Sequence, residues 1–248
     1  MHHPTRTLFA AISLSALLCA VAIAWQDDPA KSLAKGLVAH WTFDEKEGPK
    51  VNDASENGNA GSLEGGTARI DGKLGRALSF DGKTGHAMVG SPPVLDLPAD
   101  MSLFCWLRFE NVTSSEYGQC VWGQTKPSGN GGQYELCVAR GKAMNEVTVL
   151  WKDVDICISK SKLKTGQWYH IGFTRTGKPG DWTCTIYVDG AVSSVAKNID
   201  TDVGPAYPFA MGRPGAFDKL YYEGAMDDLR IYNRALSAEE AAALAKVR

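Results

Sequence analysis

The chain carries almost no excess charge. Its 26 Lys and Arg stand against 28 Asp and Glu, a formal net charge of −2, so nothing in the composition favours a nucleic-acid backbone as partner. It has no second long apolar run: outside residues 8–23 no stretch could span a bilayer. It also lacks the short strings that mark common chemistries. There is no Gly-x-Ser-x-Gly elbow, no phosphate loop, no His-Glu-x-x-His and no Cys-x-x-Cys. Their absence removes the local signatures of serine hydrolases, nucleotide hydrolases, zinc proteases and zinc or redox cysteine pairs. Helix signals are scarce, and no internal repeat or linker divides the chain.

What is present is a globular composition, 44% hydrophobic and 22% charged. The 26 glycines and 7 tryptophans of its 248 residues favour a turn-rich β fold over a helical one. Residues 1–24 read as a signal peptide. His2, His3 and Arg6 form a mildly basic start, Leu8–Ile23 is apolar apart from Ser13 and Ser15, and Ala22-Ile23-Ala24 is a small-x-small cleavage signal. The competing readings are an uncleaved anchor and a lipoprotein at Cys19, the latter opposed by Leu18 where a small residue is wanted. Residues 25–35 read as a short polar tether, and 36–248 as one domain. Export places the protein outside the cytoplasm, secreted or in the periplasm or cell envelope. No transmembrane domain remains once the signal is removed.

With Cys19 removed, Cys105, Cys120, Cys137, Cys157 and Cys184 remain. Export permits disulfides, but five is odd. Cys120 and Cys137 flank a Gly-rich loop at 126–132, where a hairpin would put them on facing strands, so they are the candidate disulfide. The alternative is that all five are small buried apolar residues.

Along the chain, short runs rich in β-branched and aromatic residues follow one another between turn signals. Strands are expected at 36–43, 77–80, 86–89, 101–109, 119–122, 134–139, 147–151, 155–159, 168–174, 183–188, 191–195, 209–212 and 228–232. Residues 44–66 read as a long loop. Asp71-Gly72, Asp81-Gly82 and Asp189-Gly190 are turn signals, the last flanked by strand runs on both sides and so the best hairpin. One helix is expected after Ser237-Ala-Glu-Glu240, a capping box. Many short strands and one short C-terminal helix argue for an all-β sandwich.

Five segments then carry a family resemblance: Gly36–Asp44 followed by Asp53–Gly61, Gly75–Gly82, Gln167–Thr174, Ile186–Gly190 and Met226–Ser237. In this order they resemble laminin-G-like, concanavalin A-like jelly-roll domains. The resemblance implies two curved antiparallel sheets of about six or seven strands each, with the first and last strands side by side. It says little about function, because such folds host many.

Three kinds of site follow as expectations. Calcium takes six to eight oxygens; Asp44, Asp53, Asn57 and Asp228 are oxygen donors on segments that the resemblance brings together, and one structural Ca²⁺ could tie the ends of the domain. Alternatively, Asp53 and Asn57 only shape turns. Aromatic rings can stack on sugars. Trp41, Trp106 and Trp168 lie in strand landmarks and read as core, which leaves Trp122, Trp151, Trp182 and Tyr221 as candidate ligand platforms. Hydroxyl partners could come from Asn130, Gln133, Asp218 or Glu223. Catalysis fares worst: jelly-roll glycosidases carry Glu-x-Asp-x-x-Glu on one strand, and here Glu135, Glu146, Asp153 and Asp155 stand apart. The sequence therefore reads as an exported non-catalytic module that binds carbohydrate. The alternatives are a cell-envelope adhesion protein with protein partners and, less so, a divergent glycoside hydrolase.

Overall fold

The structure is a computed structural model and describes residues 29–113, 115–126, 132–152 and 154–247. The expected signal peptide, residues 25–28 of the expected tether, Asn130 and Asp153 lie outside the described residues. Two eight-stranded antiparallel sheets face one another. Sheet A runs β14 (Ala191–Ile199), β13 (Asp181–Val188), β12 (Trp168–Lys178), β7 (Met101–Phe109), β16 (Glu223–Tyr232), β5 (Arg76–Asp81) and β4 (Thr67–Asp71), with β1 (Leu37–Trp41) also paired to β16. Sheet B runs β11 (Val154–Ile158), β10 (Val147–Trp151), β9 (Glu135–Val138), β8 (Gln119–Gln124), β15 (Phe209–Met211), β6 (His86–Gly90), β3 (Gly61–Glu64) and β2 (Lys50–Val51). Both sheets are wider than the resemblance implied. β2, β3 and β4 add strands where the sequence reads mainly as loop, because they are two to five residues long and each buries at most one residue.

Alternation along β7 explains the core. Met101, Leu103, Cys105, Leu107 and Phe109 point between the sheets, with Val121, Leu136, Val149, Phe173 and Leu229 from other strands. On the opposite face of β7, Phe104 belongs to a second cluster with Tyr187, Tyr232, Leu236 and Leu244. That cluster lies beneath two short helices, α1 (Pro29–Ala34) and α2 (Ala238–Leu244). Part of the expected tether is therefore helical. Its Leu33 joins the second cluster, and Ser32 and the Arg234 side chain both bond Glu240. The capping box at Ser237 forms as expected, with Ser237 Oγ accepting from the Glu240 amide.

The ends of the domain meet directly, as the resemblance implied: Leu37–Trp41 pairs with Leu229–Tyr232. The Asp189-Gly190 hairpin joins β13 to β14, both residues having positive φ (51° and 77°), the requirement of a type I′ turn.

Cys120 and Cys137 do lie opposite one another, on β8 and β9. All five described cysteines are free and buried in the structure. A bulge follows Cys120. It turns Cys120 and Cys137 onto the outer face of sheet B, where they pack with Leu150 and Leu220.

Candidate functional site

The expected metal ligands are placed first. Asp53 Oδ1 accepts the His40 and Ser55 amides at 2.9 and 2.8 Å, and its Oδ2 accepts the Asn59 amide and Asn59 Nδ2 at 3.0 and 2.7 Å. These bonds hold its carboxyl below the usual carboxylate range against the opposing effect of burial. Asp228 faces His40 Nε2 at 2.6 Å and accepts from Arg230. Asp44 accepts the Arg76 amide, and Asn57 donates to the Val38 carbonyl. Among the described residues, Asp44, Asp53 and Asp228 do not gather as a metal-ligand group. Their oxygens meet N–H donors, an arrangement that closes loops.

The tryptophans are a correction. Trp122, Trp151 and Trp182 are all buried, so no ligand can stack on them. Trp122 stacks on Phe173 with ring centroids 5.8 Å apart. Trp151 and Trp182 both face the buried Arg175, whose guanidinium carbon is 5.3 Å from each ring centroid. Arg175 in turn donates to the carbonyls of Leu97, Ala99 and Gln133. Burial lowers its pKa to about 10, which leaves it charged at neutral pH. The sequence shows an arginine in a strand but not that two distant tryptophans would enclose it. Trp41 is core, stacked on Phe209. Trp106 and Trp168 instead lie on the outer face of sheet A, beside Lys73 and Arg108.

Tyr221 has a different setting. The loop Gly212–Tyr222 leaves sheet B after β15 and returns to its own start, the Tyr222 amide bonding the Gly212 carbonyl at 2.8 Å. A compact loop closed at its base is a common carrier of function. Its middle is fastened across β8 by the Ala216 amide on the Thr125 carbonyl, and its far limb by the Cys120 amide on the Leu220 carbonyl. Tyr221 is partly exposed. Its hydroxyl donates to Asp218 Oδ1, and its ring meets His86 edge-on at 6.1 Å. Asp218 raises the Tyr221 pKa together with burial.

Around this ring stand three polar groups that the sequence alone did not single out. His86 is buried on β6, Nδ1 2.9 Å from the Thr84 carbonyl, which makes Nδ1 the protonated nitrogen. His86 Nε2 then points to Glu64 Oε2 at 3.4 Å, beyond good hydrogen-bond geometry. Arg213 is buried at the loop's base; its Nη1 donates to the Pro214 carbonyl, while its Nε has no partner. Among the described residues no carboxylate pairs with Arg213. The His86–Val89 strand expectation held the signal for His86: Ala87 faces the core, so its neighbour must face outward. Nothing local marks Arg213, which acquires its neighbours only when the loop closes.

The remaining candidates scatter. Gln133 is buried and structural, accepting the Leu97 amide and donating to Asp96. The Glu223 amide donates to Gln119 Oε1. Of the isolated acids, Asp155 binds Arg140 and Glu146 binds Lys162. Glu135 lies within 4.8 Å of the thiols of Cys120 and Cys137.

The sandwich, its paired termini and its sheet order invite comparison with known proteins. A family model described as the concanavalin A-like lectin/glucanases superfamily, of laminin-G type, matches residues 81–242. The chain belongs to this superfamily. Domain 4 of AbnA, an extracellular arabinanase of family GH43 from Geobacillus stearothermophilus solved with arabinotriose, is 24% identical over 85% of this chain and 98% of its own, with a TM-score of 0.65. The binding domain of botulinum neurotoxin serotype C1 is 12% identical, with a TM-score of 0.66 over 85% of this chain. That of Paraclostridial Mosquitocidal Protein 1 is 16% identical, with the same TM-score over 86%. The chain spans about half the length of each toxin domain, 52%. At these identities the likeness shows the fold alone. No curated protein matches the chain. Among the described residues, no helix is long and apolar enough to cross a membrane.

Proposed function

We propose that this domain is a non-catalytic carbohydrate-binding module whose ligand docks on the outer face of sheet B, against Tyr221. The observation that carries the reading is the half-open Tyr221 ring, bonded to Asp218, meeting His86 edge-on and carried on a loop closed at its base. A ring of this kind offers an apolar face to a sugar, and the groups round it supply the few placed donors and acceptors that recognise hydroxyls. The arabinotriose bound to AbnA domain 4 and the SialylT complex of a botulinum neurotoxin binding domain support a glycan ligand. Residues 1–24, as a cleaved leader, would deliver the module outside the cytoplasm, where N-terminal sequencing of the exported chain should begin at Trp25. The binding test is a glycan array that includes arabinan oligosaccharides and sialylated glycans, run on the parent chain and on Tyr221→Ala. Binding that disappears in the variant supports the reading; binding unchanged in the variant, or none to any glycan, overturns it.

One observation favours a second reading, adhesion to a protein. Val192 and Val195 on edge strand β14 are 51% and 46% exposed, and Val154 and Ile158 on edge strand β11 are 45% and 42% exposed. Apolar residues on two adjoining sheet edges are a natural protein contact. A partner captured by the parent chain but not by Val192→Lys/Val195→Lys, with an empty glycan array, would establish this alternative.

A further inference from the structure

Five buried cysteines remain after the leader, and the structure sorts them. Cys120 and Cys137 face one another across β8 and β9. Cys157 and Cys184 meet in a different way. Cys157 sits in the middle of β11, the outermost strand of sheet B, opposite Val149 of β10. Cys184 sits on β13 of sheet A, between Arg175 of β12 and Ala196 of β14. β11 packs on β13 and β14 where the edges of the two sheets come together. There both side chains are buried in the core, near enough for each thiol to shift the other's pKa. Cys105 stands apart, buried between the sheets on central strand β7 beside Trp122.

We propose that Cys157 and Cys184 form a disulfide that staples edge strand β11 of sheet B to β13 of sheet A, while Cys105 remains a thiol. The two thiols sit on strands that pack against one another, within one buried cluster, so a side-chain adjustment brings them to bonding distance. The Cys157 thiol has its pKa lowered to about 7, mainly by the hydrogen bond from Cys184, so it supplies the attacking thiolate. The oxidant is a second disulfide, either glutathione disulfide or the disulfide of an oxidoreductase. The Cys157 thiolate attacks one of its sulfurs and expels the other as a thiolate, giving a mixed disulfide. Cys184, once deprotonated, attacks the Cys157 sulfur and expels the second thiolate. The protein loses two protons and two electrons, and the oxidant gains them as two thiols. Because both residues are buried in the finished fold, the bond forms most readily while β11 is still docking.

The staple has a structural consequence. β11 and β14 are the open edges of the two sheets on that side, and they carry the exposed valines and isoleucine described above. A covalent tie between β11 and β13 keeps these edges from parting and offering their unpaired backbone to other chains.

The test is direct mapping. The full chain is refolded from the reduced state in a glutathione redox buffer. In a second arm the folded chain is incubated with glutathione disulfide. Free thiols are then alkylated under denaturing conditions without reductant and the peptides are read by mass spectrometry. The expected result is one linked peptide pair joining Cys157 to Cys184, two hydrogens lighter than the reduced peptides, with Cys105 alkylated. Dithiothreitol should lower Tm by about 5–10 °C, the size expected for opening a loop of this length in a domain of this size. That drop should persist in Cys105→Ala and shrink in Cys184→Ala. Alkylation of both Cys157 and Cys184 in folded protein from both arms, or a linkage of either to any other cysteine, overturns the proposal. A Cys120–Cys137 link found alone also overturns it.

Discussion

Arg175 lies between Trp151 and Trp182, with its guanidinium carbon 5.3 Å from each ring. The two rings belong to different sheets, β10 in one and β13 in the other, so a single cation on β12 joins the layers from inside. A charge in that position is tolerable because several backbone carbonyls accept its N–H groups and the ring faces attract it. Truncating it strands those carbonyls and opens a cavity. Arg175→Ala should cost about 3–5 kcal/mol in urea unfolding, and Trp151→Ala a similar amount. A cost below 1 kcal/mol would show that the enclosure contributes little.

The loop around Tyr221 should behave in the opposite way. Tyr221→Phe removes only the hydroxyl that bonds Asp218; it should keep the stacking face and weaken sugar binding by less than about tenfold, one hydrogen bond's worth. Tyr221→Ala, which removes the ring face itself, should weaken binding more than Tyr221→Phe. Isothermal titration with the best array hit ranks the variants, and thermal unfolding controls for the fold.

Asp227 should make stability depend on pH. It is buried on β16, with Oδ2 bonding the Leu74 amide at 2.7 Å and Oδ1 without a partner. Burial, with Asp228 beside it, pushes its pKa up to about 7. A carboxyl whose folded pKa exceeds its unfolded value of about 3.9 contributes stability that is complete below that value and lost as pH rises through about 7. Asp227→Asn should therefore gain stability over the parent chain as pH climbs from 4, levelling off above 7 at about 2–4 kcal/mol. His170, on the same register row through Trp106, works in the other direction. Its pKa is lowered to about 4 by burial, so its contribution is present above about 6.5 and lost as pH falls toward 4. Comparing variant with parent at each pH separates the two.

The Asp53 loop gives a test of calcium. Asp53 holds four N–H donors. Asp53→Ala should cost about 1–3 kcal/mol by leaving them unpaired, by the same amount in chelator and in millimolar calcium. Melting temperature of the parent chain should also be equal in the two buffers. A rise of several degrees with calcium, absent in Asp228→Asn, would establish the ion-bridged reading instead.

The sequence by itself determined the sandwich. Strand periodicity in Met101–Phe109, the Asp189-Gly190 turn and the Ser237 capping box depend on neighbours a few residues away, and the family segments appear in order along the chain. The short strands between 50 and 71 carry little hydrophobic alternation, because they are two to five residues long and each buries at most one residue. Which aromatics face a ligand was decided only by the tertiary structure. Trp122, Trp151, Trp182 and Tyr221 all sit among polar and apolar residues in the sequence, yet three are enclosed by strands far away in the chain and one rides a loop. Arg213 and His86 are 127 positions apart and become neighbours of Tyr221 only when that loop closes over sheet B. Burial and proximity across the sheets depend on the fold of the whole chain, so no local pattern encodes them.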